Sequence, residues 1–568
     1  MLTTARDKLR DMLRLVVWRT PEALLVLFLV SLAPLVYFLG AATLRTVIRF
    51  AADSDLFVNS LKRDPWPLVT WIVCVGGGVG LGFLMFRWRT FIWAVARKLI
   101  LEAMHRKVVI VLLVFFAILM PSLPFILKTE GNPKSQIQIV LTYALALAEV
   151  LLCLVAVFLC TASMCGEIES KHVQVTDTKP LARWQFLVGK LFGVVVLCSA
   201  VLFSMAAPVY LLVRYMGRDR DFSYLSPAEM QRQQRRLQMA QYEVFSSRRA
   251  IPAPLPDVTA AVEAEIQKLR AQGELGHPKA QAQKRRDLTN DFQRWQLTVA
   301  PNAAIGWHIY GLTPNTKEWL FVRFKLQSLN LKSDRQLAGA WQFYWPGDPT
   351  KEGTGGEAEG HLRLVGQMTG YWAAWSYQEI QVPGNVVDPN GGVHVVYRNL
   401  QPDTSVAFYP EDNIQFLQRV EGFFPNYYRS LLVILCHVVL LSALALMASS
   451  ALSFPVASLT VAGIFIAGLV APWVSAQNTN LLIEETSSRA GFVAVRVYWL
   501  LKVAMHGIAA VVPNFTRYSP ISNLVNGKLV SWYFVGQSAT VLCFLQGTVV
   551  MLLAVYFYHR RELARVIV

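Results

Sequence analysis

The residues with the clearest chemical potential lie in one polar stretch, residues 165–190, which reads CGEIESKHVQVTDTKPLARWQFLVGK. Two carboxylates, Glu167 and Glu169, stand near its start. The basic residues that follow are Lys171, Lys179, Arg183 and Lys190. An acidic group followed by a basic group suits docking to a cytosolic partner.

Long apolar runs flank this stretch. Ile137–Met164 and Leu191–Val213 are each long enough to cross a bilayer as a helix. Thr178-Lys179-Pro180 interrupts any continuous helix, and residues 181–186 can start a short new one. The stretch is therefore predicted to form a helical elbow between two spans. The plainer alternative is an ordinary cytoplasmic loop that follows the positive-inside bias.

A resemblance favours the first interpretation. Glu-x-Glu at the end of a span, then Thr-x-Pro-x-x-Arg, then Gly-Lys at the start of the next span resembles type-2 ABC exporter permeases. The residues that carry the match are Glu167, Glu169, Thr178, Pro180, Arg183, Gly189 and Lys190. The family's usual Gly-Thr after the second Glu is replaced here by Ser170-Lys171.

The resemblance covers about residues 90–215 and 430–568 and is to the branch that includes copper-enzyme-maturation permeases. It implies that the elbow is a coupling helix held in a cleft of an ATPase subunit. It also implies a second permease subunit, identical or different, and ATP bound by the partner ATPase. No cofactor is expected on this chain.

Composition agrees with a membrane protein. Of 568 residues, 54% are hydrophobic and only 16% are charged, which is too apolar for a soluble chain of this length. The net charge of +17 comes largely from Lys and Arg beside predicted spans. Anionic lipid and topology explain these residues better than nucleic acid does. The 7 cysteines lie in or beside apolar runs, so neither a disulfide framework nor a cysteine metal site is expected.

Motifs for catalysis are missing from the sequence. Gly189-Lys190 and Gly527-Lys528 are each followed by Leu and lack the upstream glycine of a nucleotide-binding loop. Neither HExxH nor GxSxG occurs. The chain is therefore not expected to be an enzyme. His437 and His506 lie near predicted spans, where a histidine either packs or relays protons.

The first half of the chain divides into two predicted parts. Residues 1–86 form a two-span hairpin, with an uncleaved span at 23–39 and a second at 67–86. Residues 87–218 form the first half of the permease core, with spans at 108–127, 137–164 and 191–213. The segment 87–107 is basic and amphipathic, which favours a helix in the membrane interface. Its predicted interface residues include Arg97, Lys98 and Arg106. The alternative is a solvated linker helix.

A long polar insertion follows and is predicted to be extracytoplasmic. Residues 219–301 are predicted to be helical, with helices at about 226–249, 257–272 and 278–296. Residues 302–426 hold a predicted antiparallel β-sandwich, because apolar residues alternate there with a period of two. Trp372, Trp375 and Tyr377 could form an aromatic ligand platform, although sandwich core or membrane contact explains such residues more simply.

Residues 427–568 complete the predicted permease core. Spans are expected at 430–449, 452–474 and 533–557, and a re-entrant or interfacial pair of helices before the last one, because three ionisable groups make 492–512 a costly span. The predicted fold is an α-helical membrane protein of about eight spans in the cytoplasmic (inner) membrane, with both termini in the cytoplasm. The predicted function is transport of an unknown substrate across this membrane, as the permease subunit of a transporter whose separate ATPase subunit hydrolyses ATP. The alternative is a non-transporting scaffold or receptor whose β-domain binds a cell-envelope polymer or protein.

Overall fold

A computed structural model describes most of the chain. The described residues are 21–29, 89–127, 133–170, 182–218, 226–272, 278–314, 318–328, 336–345, 363–408, 414–476 and 515–560. They form two compact units. The helical unit comprises the described residues up to Phe245 and from Phe423 onward, and the strand unit is Ser246–Gly422.

The helices are numbered along the chain from the first whose ends are defined. They are α1 Arg89–His105, α2 Val108–Ile126, α3 Pro133–Glu169, α4 Arg183–Met216, α5 Pro227–Val244, α6 Thr259–Ala271, α7 Pro278–Gln296, α8 Phe423–Ala451, α9 Phe454–Ala476, α10 Ile521–Val525, α11 Trp532–Ser538 and α12 Thr548–Arg560. Helices α6 and α7 belong to the strand unit, and the others belong to the helical unit.

Within the described residues, five helical stretches are long and apolar enough to cross a membrane. They are α2, α3, α4, α8 and the run from α11 through α12, and each contains or overlaps a predicted span. Helix α9 occupies the predicted span 452–474. Of the two predicted N-terminal spans, only 21–29 is described, and it is helical. The span at 67–86 and the segment 492–512 lie outside the described residues, so the count of eight spans stays a prediction.

The centre of the helical unit is α8, which packs against α3, α4, α9 and α12. Its most apolar window is 89% buried, against 22% for the last helical run. Between α11 and α12, Ala539–Gly547 continues the helix with π-helical hydrogen bonding. Such wide turns are rare in proteins and often mark functional positions.

The described part of the strand unit forms three antiparallel sheets. Its strands are β1 Ser246–Pro252, β2 Thr298–Val299, β3 Ala304–Ile309, β4 Trp319–Lys325, β5 Gln327–Ser328, β6 Gln336–Trp345, β7 Arg363–Ala373, β8 Tyr377–Pro383, β9 Val393–Asn399, β10 Val406–Ala407 and β11 Gln415–Gly422. The two four-stranded sheets have the orders β1-β11-β4-β8 and β3-β9-β6-β7, and the small third sheet has the order β2-β10-β5.

The two larger sheets share one core, as expected of a sandwich. Trp341 is fully buried at its centre, with ring centroids 4.7 Å from Phe324 and 5.0 Å from Tyr397. The alternation predicted along β4 and β9 is confirmed on the core side, where Val322, Phe324 and Val395 are buried.

One predicted boundary is wrong. The helix expected over 226–249 begins as predicted at Pro227 but ends at Val244. Residues 246–252 instead form β1, which pairs with β11. A partner strand more than 160 residues away along the chain overrides local helix preference there, because pairing satisfies the backbone of both strands.

Candidate functional site

The end of α3 carries a carboxylate that joins three helices. Glu167 Oε1 lies 2.7 Å from Lys98 Nζ on α1, and Glu167 Oε2 lies 2.8 Å from Lys190 Nζ on α4. Lys171, the next charged position after Glu169, lies outside the described residues. The cluster of Lys98, Glu167 and Lys190 therefore sits at the point where the predicted elbow leaves α3.

Lys190 is the buried member of this cluster. Only 1% of its side chain is exposed, whereas 60% of the Lys98 side chain is exposed. Besides Glu167, the ammonium of Lys190 donates to Ser163 O at 3.0 Å and to Ser163 Oγ at 2.9 Å. Its three donors thus have three acceptors. A buried ammonium group is tolerated when it is paired and hydrogen-bonded in this way.

Small residues bring α1 and α4 close enough for the cluster to form. A Cβ atom on Gly189 would lie 2.8 Å from Val95 Cβ, and one on Gly193 would lie 2.9 Å from Ala96 Cα. The pattern Gly-x-x-x-Gly on α4 faces Ala96 on α1, which is the small-residue packing typical of membrane helices. The predicted Gly189-Lys190 motif thus supplies close packing at one residue and the buried charge at the next.

Arg183 makes a separate contact at the start of α4. Its Nη1 donates to His559 O at 3.1 Å, and its guanidinium lies 5.8 Å from the centre of the Tyr558 ring. A guanidinium suits this place because a basic group near the C-terminal carbonyls of a helix interacts favourably with the helix dipole. The start of α4 is therefore tied to the end of the last helix.

The other predicted coupling and interface residues are placed as follows. Glu169 is exposed at the end of α3, and Thr178 and Pro180 lie outside the described residues. Arg106, which directly follows α1, pairs with Glu102 of that helix at 2.8 Å. Arg97 is half-buried. The apolar side of α1 packs largely on α4, which leaves its basic residues at the rim of that contact.

The three aromatic residues of the proposed platform do not share one surface. Trp372 is buried in the sandwich core, with its ring centroid 5.6 Å from that of Phe324. Trp375 and Tyr377 are about half exposed, and Arg323 stacks over the Tyr377 ring at 4.4 Å. Trp372 is therefore a residue of the sandwich core, which is one of the simpler explanations given from the sequence.

Only one member of a second polar pair was identified from the sequence. Glu149 on α3 and His437 on α8 meet with Oε1 and Nδ1 2.6 Å apart, and both are buried. His437 was noted in the sequence without a partner. Glu149 was not, although it is the only charged residue between Lys134 and Glu167 of α3. A lone acid in a span is the signal that could have identified it.

Comparison of the chain with protein-family models, with curated proteins and with solved structures returns no match.

Proposed function

We propose that this chain is the membrane-spanning permease subunit of an ATP-driven transporter. A separate ATPase subunit hydrolyses ATP, and a second permease subunit, identical or different, completes the pathway. The chain lies in the cytoplasmic membrane with both termini and the elbow in the cytoplasm, and residues 219–426 lie outside. This proposal rests on the resemblance to type-2 ABC permeases.

The observation that carries the proposal is the bridge made by Glu167. A loop can transmit movement only if its ends are rigidly tied to the helices that move. Glu167 joins α3 to α1 and α4 through Lys98 and Lys190, and Arg183 joins the start of α4 to the end of α12. Force applied to the elbow would therefore reach four helices at once.

Affinity purification of the tagged full chain from membranes tests the proposal. An ATPase subunit is expected to co-purify, and Arg183→Ala is expected to reduce its yield. Arg218→Ala is the matched control, because Arg218 is an exposed arginine at the other end of α4. Absence of any ATPase, or equal loss in both variants, would contradict the proposal.

A second candidate is a non-transporting scaffold or receptor whose strand unit binds a cell-envelope polymer. It is favoured by the exposed aromatic rings of Tyr371, Trp375 and Tyr377, which sugar rings could stack against. Retention of the full chain on insoluble envelope polysaccharide, lost in Trp375→Ala, would support it. If the Trp375→Ala variant is still retained on the polysaccharide, these rings are not the binding surface.

A further inference from the structure

Glu149 and His437 form a buried acid–base pair at the middle of two long helices. Glu149 lies near the centre of α3, and His437 lies at the centre of α8. The side chain of His437 is 0% exposed and that of Glu149 is 8% exposed. Ionisable groups in such positions are costly and are rarely kept without a function.

Aromatic rings pack on the His437 side of the pair. The Phe515 ring meets the His437 ring edge-on, with centroids 5.5 Å apart, and Phe465 of α9 packs on Phe515. Among the described residues, α9 and Ala539–Gly547 carry no charged side chain. Titratable groups on the packed helices include the thiols of Cys153, which interacts electrostatically with Glu149, and of Cys198, Cys436 and Cys543.

Most charged residues on the described surrounding helices lie toward the helix ends. On the two helices that hold the pair they are Lys134, Glu167, Glu169 and Arg429, and on α4 they are Arg183, Lys190 and Arg214. On α5, Glu229 and Glu243 lie near the ends and the arginines lie between them; the remaining ones are the exposed Arg517, and His559 with Arg560 on α12. Among the described residues, Glu149 and His437 are therefore each other's charged partner.

The hydrogen bond between the two residues leaves one nitrogen unused. Nδ1 of His437 bonds to Glu149, but its Nε2 is buried and has no hydrogen-bond partner within the described residues. With one proton between Nδ1 and Oε1 and a second on Nε2, the pair is neutral overall, which is the least costly state for buried groups. Without the proton on Nε2, the pair holds a buried negative charge.

The helix next to the pair has an unusual geometry. The π-helical stretch Ala539–Gly547 packs against α8, and Cys543 Sγ lies 4.0 Å from the carbonyl oxygen of Cys436, the residue before His437. A π-helical stretch has a competing α-helical arrangement, so a change of charge at His437 has an adjacent element that can respond.

We propose that Glu149 and His437 form a proton-binding site inside the helical unit, which exchanges one proton through Nε2. An arriving proton forms an N–H bond at Nε2. The proton on Nδ1 is then shared with, or passed to, Glu149 Oε1, and the net charge of the pair changes from −1 to 0. Proton binding thereby alters the contact between α3 and α8. This site does not depend on the proposed ATP-driven function.

Infrared spectroscopy of the full chain in lipid nanodiscs, titrated with acid and base, tests the site. The wild type is expected to show a protonated-carboxyl band whose intensity changes as the pair gains or loses its proton. Glu149→Gln should abolish that band, and His437→Gln should move its midpoint by at least about 1 pH unit, because the imidazole no longer shares the proton. Glu229→Gln and His105→Gln, which alter exposed residues, are matched controls and should leave it unchanged.

A band that persists in Glu149→Gln, or the absence of any titrating carboxyl or imidazole signal, would overturn the proposal and leave a fixed structural pair. The double variant E149M/H437L covers the case in which single variants fail to fold, because apolar replacement of both partners is often tolerated. Its thermal stability should lose the part of the wild-type pH dependence that comes from the pair. An unchanged pH dependence would also overturn the proposal. Neither measurement needs ATP or a partner subunit, so its failure is separate from failure of the permease proposal.

Discussion

The helical unit and the strand unit bury different kinds of chemistry. The helical unit places ion pairs between helices, at Glu167 with Lys190 and at Glu149 with His437. The strand unit builds its core around aromatic rings, with Trp341 at the centre. Its buried ion pair, Arg248 with Glu379 at 3.0 Å, lies instead on the far side of one sheet, against the Phe321 ring.

The difference follows from what drives each kind of packing. Apolar burial holds two sheets together in water, and aromatic rings provide much area per residue. Helices suited to lipid gain little from apolar contact, so small residues and polar bonds decide how they associate. We therefore look for function in the polar pairs of the helical unit and, in the strand unit, on the surface.

Removing the ring of Trp341, at the centre of the strand unit's core, should have the largest effect on the stability of that unit. Trp341→Ala is expected to cost about 3–5 kcal/mol of unfolding free energy there, because it leaves a large cavity. Hydrogen–deuterium exchange of the full chain would show faster exchange in peptides from residues 246–422 and little change in α3, α4 and α8. Trp375→Ala, at a half-exposed ring, is the control and should change exchange much less. Equal effects of the two substitutions would contradict the aromatic-core account.

Removing the buried ammonium should have a comparable or slightly smaller effect in the helical unit. Lys190→Ala leaves Glu167 and Ser163 without their buried donor, and is expected to cost about 3 kcal/mol, as for breaking a buried ion pair. Lys98→Ala removes an exposed partner of the same carboxylate and should cost less than about 1 kcal/mol. Thermal unfolding of the detergent-purified chain measures both. A larger loss of stability in Lys98→Ala than in Lys190→Ala would contradict the assignment of Lys190 as the buried partner of Glu167.

Filling the gap between α1 and α4 should have an intermediate effect. Gly189→Val adds a Cβ where Val95 Cβ would be 2.8 Å away, and overpacking of this kind costs about 1–3 kcal/mol. Gly166→Ala on α3 is the matched control, because a Cβ there meets nothing within 4 Å. The control should be neutral or slightly stabilising, since alanine favours helix. Thermal unfolding of the detergent-purified chain measures both variants. A Gly189→Val variant as stable as the wild type would contradict close packing of α1 against α4.

Acid should weaken the strand unit slightly. Burial and the neighbouring imidazole of His308, with Nδ1 atoms 3.1 Å apart, lower the pKa of His394 below its ordinary value. The unfolded chain then binds a proton more readily than the folded one, so stability is complete above about pH 6.5 and declines as the pH falls below it. Exchange rates of β3 and β9, corrected for intrinsic pH dependence, should rise in acid. His394→Gln should remove that rise, and an identical acid response in the variant would exclude His394 as its source.

Part of the candidate site could be predicted from the sequence. Glu167 and Lys190 were predicted as one group because both flank the same polar stretch. Lys98 was assigned to the interfacial helix, and its bond to Glu167 was not foreseen. The rotation of α1 against α4, set by Gly189 and Gly193, decides which basic residue of α1 reaches the carboxylate. Side-chain direction over that distance depends on packing that no local pattern encodes.

The sequence by itself determined the elements. Apolar runs of bilayer length predict helices such as α3, α4 and α8, and period-two alternation predicts strands such as β4 and β9, because these patterns reflect local geometry. Only the tertiary structure decided the partners. Glu149 and His437 lie 288 residues apart, and Ser246–Pro252 becomes a strand only beside β11. Such pairings depend on which faces meet after folding, which is a property of the whole chain.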